Sequence, residues 1–462
     1  MQHKSELSEN PKRFVIIGGG PGGTACATHA ARLGAAVTLI ERDLVGGAAH
    51  LLDCIPSKAM IATGGAMAMM KDATEMGLAK VDVLLDFDAL RRRIGDISTR
   101  LERSVTELLE SQGVRLIQGT GRLVSASEVE AISADGEVEL LQADVIVLST
   151  GSRPRIPDWA HVDGQRILTT RDAYPPPELP DLLVVVGSGV TGVEFVHMFN
   201  SFGSGITLIV SRQQVLPAKD PEVAAVLEQS FLDRGVRLYK GARATAIEKT
   251  ADGVRVVCDD GRVAEGSHVL LAIGSIPNSD ELGLEAAGVE TDGGYVVIDH
   301  NCRSSVGHIY AAGDLSGKLP LSSVASTQGR KIAEHAMGLH TRPHRHLDYD
   351  KAASAIFTDP EIADVGLAEA DAFAEGRKIR VTKVPFSVSA KALINNDSRG
   401  FVKIVSDPAT GEVMGGSIVG RHAAELISVL ALAVSANLTV VDLVESLFVH
   451  PALAEVLGEA AE

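Results

Sequence analysis

The stretch RFVIIGGGPGGTACATHAARLGAAVTLIERD, residues 13–43, decides how the fold begins. The apolar run 14–17 predicts a short buried strand, and Val37–Ile40 predicts a second one. Between them, Gly22–Leu33 has the length of a helix and an alanine-rich face that can pack closely on a sheet. A strand, a glycine turn, a helix and a strand in this order predict a parallel α/β sheet.

The glycine turn in this stretch carries the pattern of a dinucleotide-binding site. Gly18, Gly20 and Gly23 fit G-x-G-x-x-G, and Glu41 stands where the second strand ends. The first glycine permits the tight turn, the second lets a pyrophosphate approach the backbone, and the third brings helix and strand together. The phosphates bind at the helix N-terminus, and the acid accepts hydrogen bonds from a ribose diol. We therefore predict a bound dinucleotide here.

The same unit returns in DLLVVVGSGVTGVEFVHMFNSFGSGITLIVSRQ, residues 181–213. Its glycine pattern consists of Gly187, Gly189 and Gly192. The second strand of this unit ends in Ser211 and Arg212 instead of an acid, and these two can receive a 2′-phosphate. NADPH is therefore the expected second dinucleotide, with NADH as an alternative donor. The other interpretation of Arg212 is a solvated surface charge.

The length, net charge and cysteine content of the chain limit the class of protein to which it can belong. The 462 residues are enough for two to four domains, and the formal charge of −17 argues against nucleic acid or an anionic membrane as the main partner. The polar residues 1–14 lack the apolar core of a signal peptide, and we find no apolar run of the roughly 20 residues that a membrane span needs. Four scattered cysteines fit neither a disulfide framework nor a zinc site. We expect a cytoplasmic protein without an integral membrane segment.

The remaining chain alternates helices and strands and then changes character. Up to residue 346 we predict a long helix at 87–114 and a second helix at 322–339. Between them we predict strands at 114–117, 143–148 and 308–317. Stretch 334–346 holds four histidines; a polar linker is the preferred interpretation, with zinc as the alternative, and no metal site is predicted. From about 347 the pattern is that of an α+β domain, with helices predicted at 422–436 and 439–447. Strand-like runs precede these helices at 352–357, 380–386, 401–406 and 412–420.

The C-terminal stretch LFVHPALAEVLGEAAE, residues 447–462, pairs a histidine with an acid. Pro451 can open a helix, which would put Glu455 about one turn in, within reach of His450. An imidazole oriented by a carboxylate is a general acid/base pair. The alternative is a surface histidine that caps a terminal helix.

Several motifs along nearly the whole chain together resemble one family, the FAD-dependent pyridine nucleotide-disulfide oxidoreductases, which include lipoamide dehydrogenase and glutathione reductase. In chain order the motifs are GGGPGG, ERD, CIPSK, STGSRP, GSGVTGVE, AIGSIPN, AAGD, FTDPEIADVG and HPALAE. The resemblance implies an α/β flavoprotein with two Rossmann-like domains and a C-terminal α+β dimerisation domain. The implied boundaries are 1–152 and 279–346 for FAD, 153–278 for NAD(P)H, and 347–462 for the interface.

The resemblance also implies which residues form the sites. FAD would contact Gly18, Gly20, Gly23, Glu41, Gly47, Lys58, Gly121, Gly151, Asp314 and the backbone near Ser322. NAD(P)H would contact Gly187, Gly189, Gly192, Glu194, Ser211, Arg212 and Gly274. In the family the lysine of CIPSK pairs with the glutamate after the second glycine motif, near flavin N5; here these are Lys58 and Glu194. The implied catalytic set is Cys54, Lys58, Glu194, His450 and Glu455.

One sulfur of the family's redox disulfide is missing. Cys54 matches the flavin-near cysteine of CIPSK, but the position five residues earlier, which holds the outer cysteine in the family, is Ala49. Thiol–disulfide exchange needs a second thiolate to resolve the mixed disulfide, and we expect the other cysteines, Cys26, Cys258 and Cys302, to be inert packing residues. Electrons that reach the flavin would leave to a quinone. The stretch resembles an actinobacterial branch of the family. The members of this branch are similar to lipoamide dehydrogenase, and the resemblance implies that they are NAD(P)H:quinone reductases.

Alternatives remain open at this stage. They are a dihydrolipoamide dehydrogenase-like disulfide reductase, a soluble pyridine nucleotide transhydrogenase, a peroxidase that cycles Cys54 through a sulfenic acid, and a flavoprotein without enzymatic activity. The resemblance implies a homodimer in which His450 acts on the partner's flavin. In a quinone reductase, His450 and Glu455 would protonate a quinol oxygen or be a relic.

Overall fold

The structure, a computed structural model, describes residues 11–339 and 347–462. The chain forms two compact units, each treated by itself below. The first unit takes the described parts of Met1–Ser57, Asp88–Arg155 and Ser275–Tyr349. The second unit takes Lys58–Phe87, Ile156–Gly274 and Asp350–Glu462. The division into three functional domains drawn from the resemblance stays a prediction.

The first unit is built on a sheet that has seven strands in the described part of the chain. In spatial order the strands are Ile309–Ala311, Val145–Leu148, Arg13–Ile17, Ala36–Glu41, Arg115–Ser125, Glu128–Ser133 and Val138–Gln142. The first five are parallel, and the last two extend the sheet as an antiparallel meander. Both predicted strands of the opening stretch therefore lie side by side, with Phe14 opposite Val37.

The first glycine turn leads directly into helix Pro21–Arg32. The helices that begin or lie in this unit are Pro21–Arg32, Ile55–Asp72, Phe87–Ser111 and Ser322–Ala336, with short 3₁₀ turns at Glu285–Ala287 and Gly313–Ser316. Helices Pro21–Arg32 and Ser322–Ala336 pack in close contact, since a Cβ placed on Gly329 would come within 2.0 Å of the carbonyl oxygen of Gly22. Two further strand pairs join Ser152–Pro154 to Ser275–Pro277 and Thr291–Asp292 to Tyr295–Val296.

The second unit contains the repeated nucleotide motif on a parallel sheet of five strands, counted over the residues described. Their spatial order is Arg237–Lys240, Gly205–Val210, Leu182–Val186, His268–Leu271 and Ile167–Thr169. The helices are Val190–Phe202 and Pro221–Asp233, and an antiparallel sheet of three strands is formed by Ala244–Lys249, Val254–Cys258 and Val263–Gly266. Asp220 caps the second helix by accepting from the Glu222 N–H at 2.8 Å.

The C-terminal part of the second unit is an antiparallel sheet with helices, which confirms the predicted α+β class. Its strands are, in spatial order, Ser354–Ile356, Glu361–Gly366, Val413–Gly420, Phe401–Ser406 and Arg380–Pro385. Its helices are Glu369–Ala374, Ala390–Ile394, Ala423–Ala436, Val440–Val444 and Glu455–Ala461. The core between them includes Ile404, Ile418, Ile427 and Val456, all fully or almost fully buried.

Several boundaries differ from the sequence-based prediction, and two of them lie near the C-terminus. Pro451 does not open a helix: the last helix begins at Glu455, with Ala454 before it. The carboxylate of Glu455 instead accepts the backbone N–H of Ala452 at 2.8 Å, which stabilises the turn that precedes the helix. The helix predicted at 439–447 ends at Val444. Of the four histidines in 334–346, only His335 lies within the described residues, so the linker and zinc interpretations stay untested.

No helix in the described ranges 11–339 and 347–462 combines the length and the apolar composition needed to cross a membrane. The cytoplasmic location stays a prediction.

Candidate active site

The three glycines of the first glycine turn have different structural roles. Gly18 has φ +101°, and a Cβ there would lie 2.3 Å from the carbonyl oxygen of Ser149. A Cβ on Gly23 would lie 2.0 Å from the carbonyl oxygen of Gly18, so both positions must be glycine for the backbone to pack. At Gly20 the nearest atom to an added Cβ is 3.9 Å away. The space above Gly20, at the start of helix Pro21–Arg32, is therefore open to a phosphate.

Glu41 ends the second strand and ties it to this turn. Its Oε2 accepts the Gly19 N–H at 2.6 Å, and its Oε1 accepts the Asp43 N–H at 2.7 Å. Burial raises the pKa of the Glu41 carboxyl above its usual value, although the two backbone N–H groups oppose that rise. Each carboxylate oxygen keeps a second lone pair, which suits a ribose diol.

Other predicted FAD contacts line the same unit in different ways. Gly47 has φ +91°, and a Cβ there would lie 2.5 Å from the Cα of Gly20, so the two loops touch through their backbones. Asp314 lies in the turn after strand Ile309–Ala311 and accepts the Ser152 hydroxyl at 2.6 Å. Ser322 begins helix Ser322–Ala336.

Gly121 and Gly151 differ in the space around them. A Cβ on Gly121 would lie 3.0 Å from Ile40 Cδ1, so this glycine relieves packing within the sheet. Gly151 has φ +67° and open space about it in the described structure. An open second glycine, a helix N-terminus and a strand-end acid at one edge of a parallel sheet together fit FAD. Lys58 belongs to the second unit, and its contact with FAD stays a prediction.

The second glycine turn repeats the geometry of the first. Gly187 has φ +111°, and a Cβ there would lie 2.2 Å from the carbonyl oxygen of Ala272. A Cβ on Gly192 would lie 1.9 Å from the carbonyl oxygen of Gly187. At Gly189, by contrast, an added Cβ meets no non-adjacent atom of the described residues within 4 Å. This cradle fits the pyrophosphate of a second dinucleotide.

Three other residues predicted to contact NAD(P)H lie at loop positions of this unit. Ser211 and Arg212 directly follow strand Gly205–Val210, and both are exposed. Gly274 has φ +96°, with open space around it among the described atoms. The two exposed side chains are therefore available to a ribose or a 2′-phosphate, and the glycine to a backbone approach by a ligand.

Gly189→Ala is expected to weaken NAD(P)H binding without unfolding the protein. Gly189 already has a backbone that alanine can adopt, with φ −74°, so the added methyl group fills only the space above the turn. We expect the Kd for NAD(P)H, measured by anaerobic titration, to rise on the order of tenfold, or ~1.4 kcal/mol. Gly192→Ala is the contrast, because its methyl group collides with Gly187 and should cost about 1–3 kcal/mol of stability. Equal melting-temperature losses in both variants would contradict this division.

Lys58 and Glu194, which the resemblance pairs, do form an ion pair in the second unit. Lys58 Nζ lies 3.1 Å from Glu194 Oε2. The glutamate side chain is 5% exposed and the lysine side chain 31% exposed, so a positive charge is held at the rim of a buried carboxylate. Glu194 lies on helix Val190–Phe202, in the second turn after the glycine cradle. A fixed cation of this kind can stabilise developing negative charge on a reacting group.

The second oxygen of Glu194 is also occupied, by a residue that sequence analysis missed. Oε1 accepts the backbone N–H of Phe357 at 3.0 Å. The Phe357 ring lies below Lys58, with Nζ 4.9 Å from the ring centroid. Phe357 begins the motif FTDPEIADVG, so the sequence did single out this segment. The contact itself could not be predicted, because the backbone N–H that donates it is the same in almost every residue type.

His450 and Glu455 also meet as predicted. His450 Nδ1 lies 2.7 Å from Glu455 Oε1, and the histidine side chain is 74% exposed. A hydrogen bond from the Ala452 N–H and one from His450 lower the pKa of the Glu455 carboxyl below its usual value. Because Nδ1 is engaged, Nε2 is the nitrogen that can exchange a proton with a substrate.

Cys54 lies at the end of a short π-helical turn, Ala49–Cys54, in the first unit. The Ile55 N–H bonds the carbonyl oxygen of His50, the i to i+5 pattern of a π-helix. Residues five apart, Ala49 and Cys54, therefore lie on one side of the turn. Ala49 is exposed and Cys54 half-buried.

The other three cysteines are buried, as expected of packing residues. All four cysteines are free thiols. Burial raises the pKa of the Cys302 thiol to about 12, and it raises the pKa of Cys26 and of Cys258 as well. None of the three is suited to act as a thiolate at neutral pH.

Comparison with known proteins identifies the family. Residues 12–329 match the pyridine nucleotide-disulphide oxidoreductase family, and residues 352–461 match its dimerisation domain. The chain belongs to this family. It is a flavin-dependent NAD(P)H oxidoreductase, since the family uses FAD and NAD(P)H. The predicted fold class is thereby confirmed.

Similar proteins include an NAD(P)H dehydrogenase (quinone) and dihydrolipoyl dehydrogenases. The NAD(P)H dehydrogenase (quinone) of Mycobacterium tuberculosis strain H37Rv is 41% identical over 97% of this chain and 93% of that protein. A dihydrolipoyl dehydrogenase of Bacillus subtilis is 32% identical over 97% of this chain and 96% of that protein. Among solved structures, LpdA from Mycobacterium tuberculosis superimposes with a TM-score of 0.92 at 40% identity, covering 97% of this chain and 99% of that one.

Proposed function

We propose that this protein is an FAD-dependent NAD(P)H:quinone oxidoreductase that works without a redox-active disulfide. The carrying observation is the turn Ala49–Cys54, which offers one sulfur where the family's dithiol enzymes need two. The chain also carries the features for nucleotide binding and flavin reduction, namely an open glycine cradle in each unit and the Lys58–Glu194 ion pair in the second unit. The similarity to the mycobacterial NAD(P)H dehydrogenase (quinone) supports the same acceptor.

When bound, FAD would accept a hydride from NAD(P)H and pass the electrons on to a quinone. Lys58 contributes a positive charge, which the ion pair with Glu194 holds in place. Ser211 and Arg212, exposed at the strand end, would receive the 2′-phosphate of NADPH, so NADPH is the preferred donor and NADH the second. A lower kcat/KM for NADPH than for NADH would contradict that preference.

His450 would donate a proton through Nε2 to the oxygen of the reduced quinone, which completes the quinol, while Glu455 orients the ring from Nδ1. We propose that it does so in a homodimer. The dimerisation-domain match supports this assembly, as do the exposed apolar side chains next to His450, of which Leu447 is fully exposed and Val449 is 75% exposed. A monomer in sedimentation velocity would contradict it.

The deciding experiment compares acceptors on the purified holoenzyme. We expect NADPH to be oxidised steadily with a naphthoquinone, whereas dihydrolipoamide with NAD⁺ and glutathione disulfide with NADPH give no turnover above background. NAD⁺-linked dihydrolipoamide oxidation at a rate comparable with the quinone rate would overturn the proposal. Reduction of thio-NAD by NADPH at that rate would favour a transhydrogenase instead.

Cys54→Ser separates the peroxidase alternative. A quinone reductase needs no sulfur, so its naphthoquinone rate should survive the change. Peroxide turnover that is present in the wild type and lost in Cys54→Ser would show that Cys54 itself is oxidised and reduced in each cycle.

A further inference from the structure

We infer that Phe357 is a positioning residue for flavin reduction, acting through the Lys58–Glu194 pair; this rests on the proposed function. Glu194 is 4% exposed, and both of its oxygens are engaged, Oε1 by the Phe357 N–H and Oε2 by Lys58. A carboxylate held at one oxygen by a backbone donor cannot rotate freely. The other oxygen is thereby kept towards the ammonium group.

The ring of Phe357 adds a second restraint, on the ammonium itself. Lys58 Nζ lies 4.9 Å from the ring centroid, within the range in which an aromatic face attracts a cation. The lysine is partly exposed, so the carboxylate alone leaves its long side chain room to move. The ring and the carboxylate both lie within interaction distance of the ammonium group, so together they restrict its position.

Phe357 is itself anchored on both sides within the second unit. It directly follows strand Ser354–Ile356, where Ile356 is 1% exposed and pairs with Ile362. On the other side, the carbonyl oxygen of Asp359 accepts the Ser230 hydroxyl at 2.8 Å, and its carboxylate contacts Arg399 at 2.5 Å. Ser230 lies on helix Pro221–Asp233, so the segment that carries Phe357 is tied to this helix.

The test substitutes the ring and keeps the backbone donor. Phe357→Leu removes the aromatic face, whereas Phe357→Tyr retains it. In anaerobic stopped-flow experiments with the FAD-loaded protein, we expect the NADPH-driven loss of oxidised-flavin absorbance to slow by about 3- to 10-fold in Phe357→Leu. Phe357→Tyr should stay within about twofold of wild type. The Kd for NADPH, from the concentration dependence of the same traces, should not change.

Phe401→Leu is the matched control. Phe401 is 7% exposed and lies beside Lys383 and Lys403, at 5.4 and 5.9 Å from the ring centroid, so its loss also removes a ring next to lysine. It should leave the flavin reduction rate unchanged. A second readout is the flavin midpoint potential, which should fall in Phe357→Leu and stay constant in Phe401→Leu.

Unchanged rate and potential in Phe357→Leu, or an equal drop in Phe401→Leu, would overturn the inference. Failure of the proposed function has a different signature. In that case the wild-type flavin is reduced by NADPH but passes no electrons to a naphthoquinone, while the Phe357 effect on flavin reduction is still present.

Discussion

Anaerobic reductive titration of the wild-type protein is expected to consume two electrons per FAD, and Ala49→Cys is expected to raise this number to four. The π-helical turn puts positions 49 and 54 on one side, five residues apart, and position 49 is exposed. A new thiol there would lie next to Cys54, and the pair could close to a disulfide that takes two electrons on reduction. Dithionite titration followed by flavin absorbance measures the number.

The double variant Ala49→Cys/Cys54→Ser is the control for this experiment. It keeps the new sulfur and removes its partner, so its uptake should return to two electrons per FAD. Four electrons in the unmodified protein would show a second redox centre and contradict the proposed disulfide-free mechanism. Two electrons in Ala49→Cys, with two thiols still free after mild oxidation, would show that the turn keeps the sulfurs apart.

The largest expected stability loss follows substitution of a buried lysine. Lys403 is 2% exposed, and its Nζ lies 2.8 Å from Asp220, 2.5 Å from Glu222 and 2.9 Å from Glu369. Lys403→Met would leave these carboxylates facing one another, with Asp220 buried and without its cation. Removing one partner of a buried ion pair costs about 3–5 kcal/mol. Chemical denaturation of the FAD-loaded protein measures the change.

Lys383→Met provides the matched control. Lys383 contacts Glu222 as well, at 2.5 Å, but its side chain is 43% exposed. Exposed ion pairs contribute about 0–1 kcal/mol, so this variant should unfold close to the wild type. Equal losses in the two variants would contradict a special role for the buried position.

The pH dependence of the Lys403 effect follows from its partners. Burial lowers the pKa of Lys403, but the hydrogen bonds that its ammonium group donates to Asp220, Glu222 and Glu369 outweigh this and raise the pKa above its usual value. A raised lysine pKa stabilises the fold below the unfolded value of about 10.4, and the effect is lost as the pH rises further. Hydrogen bonds that Glu222 accepts from Lys383 and Lys403 lower the pKa of its carboxyl, so its contribution to stability is present above about pH 4.3 and lost as the pH falls further. The Lys403→Met penalty should therefore be constant between these limits.

Local motifs predicted the nucleotide-binding turns because these turns have positions that only glycine can occupy. Gly18 and Gly23 are required by backbone contacts that any side chain would break, and such positions can be recognised from residue type alone. Lys58–Glu194 was predicted from motifs of a known family, and His450–Glu455 was predicted from its spacing in the C-terminal stretch; the structure brings each pair together. Their catalytic roles stay predictions.

Long-range contacts through the backbone were not predictable. The N–H of Phe357 reaches Glu194 across 163 positions of sequence, and every residue type except proline carries the same donor. The end of the chain was also misjudged locally. Pro451 suits a first helical position, but the hydrogen bond from Ala452 to Glu455 favours a turn, and the helix begins later.

Lys403 has a consequence for how this protein can be recombined with its relatives. Its strand lies in the C-terminal sheet, whereas Asp220 caps a helix of the nucleotide-binding part. A chimera that exchanges residues 156–274 for those of a relative without acids at positions 220 and 222 would leave the buried Lys403 ammonium with Glu369 as the one remaining carboxylate of the three. We therefore expect viable domain exchanges to carry both sides of this contact together, so that inheritance of the two segments is linked.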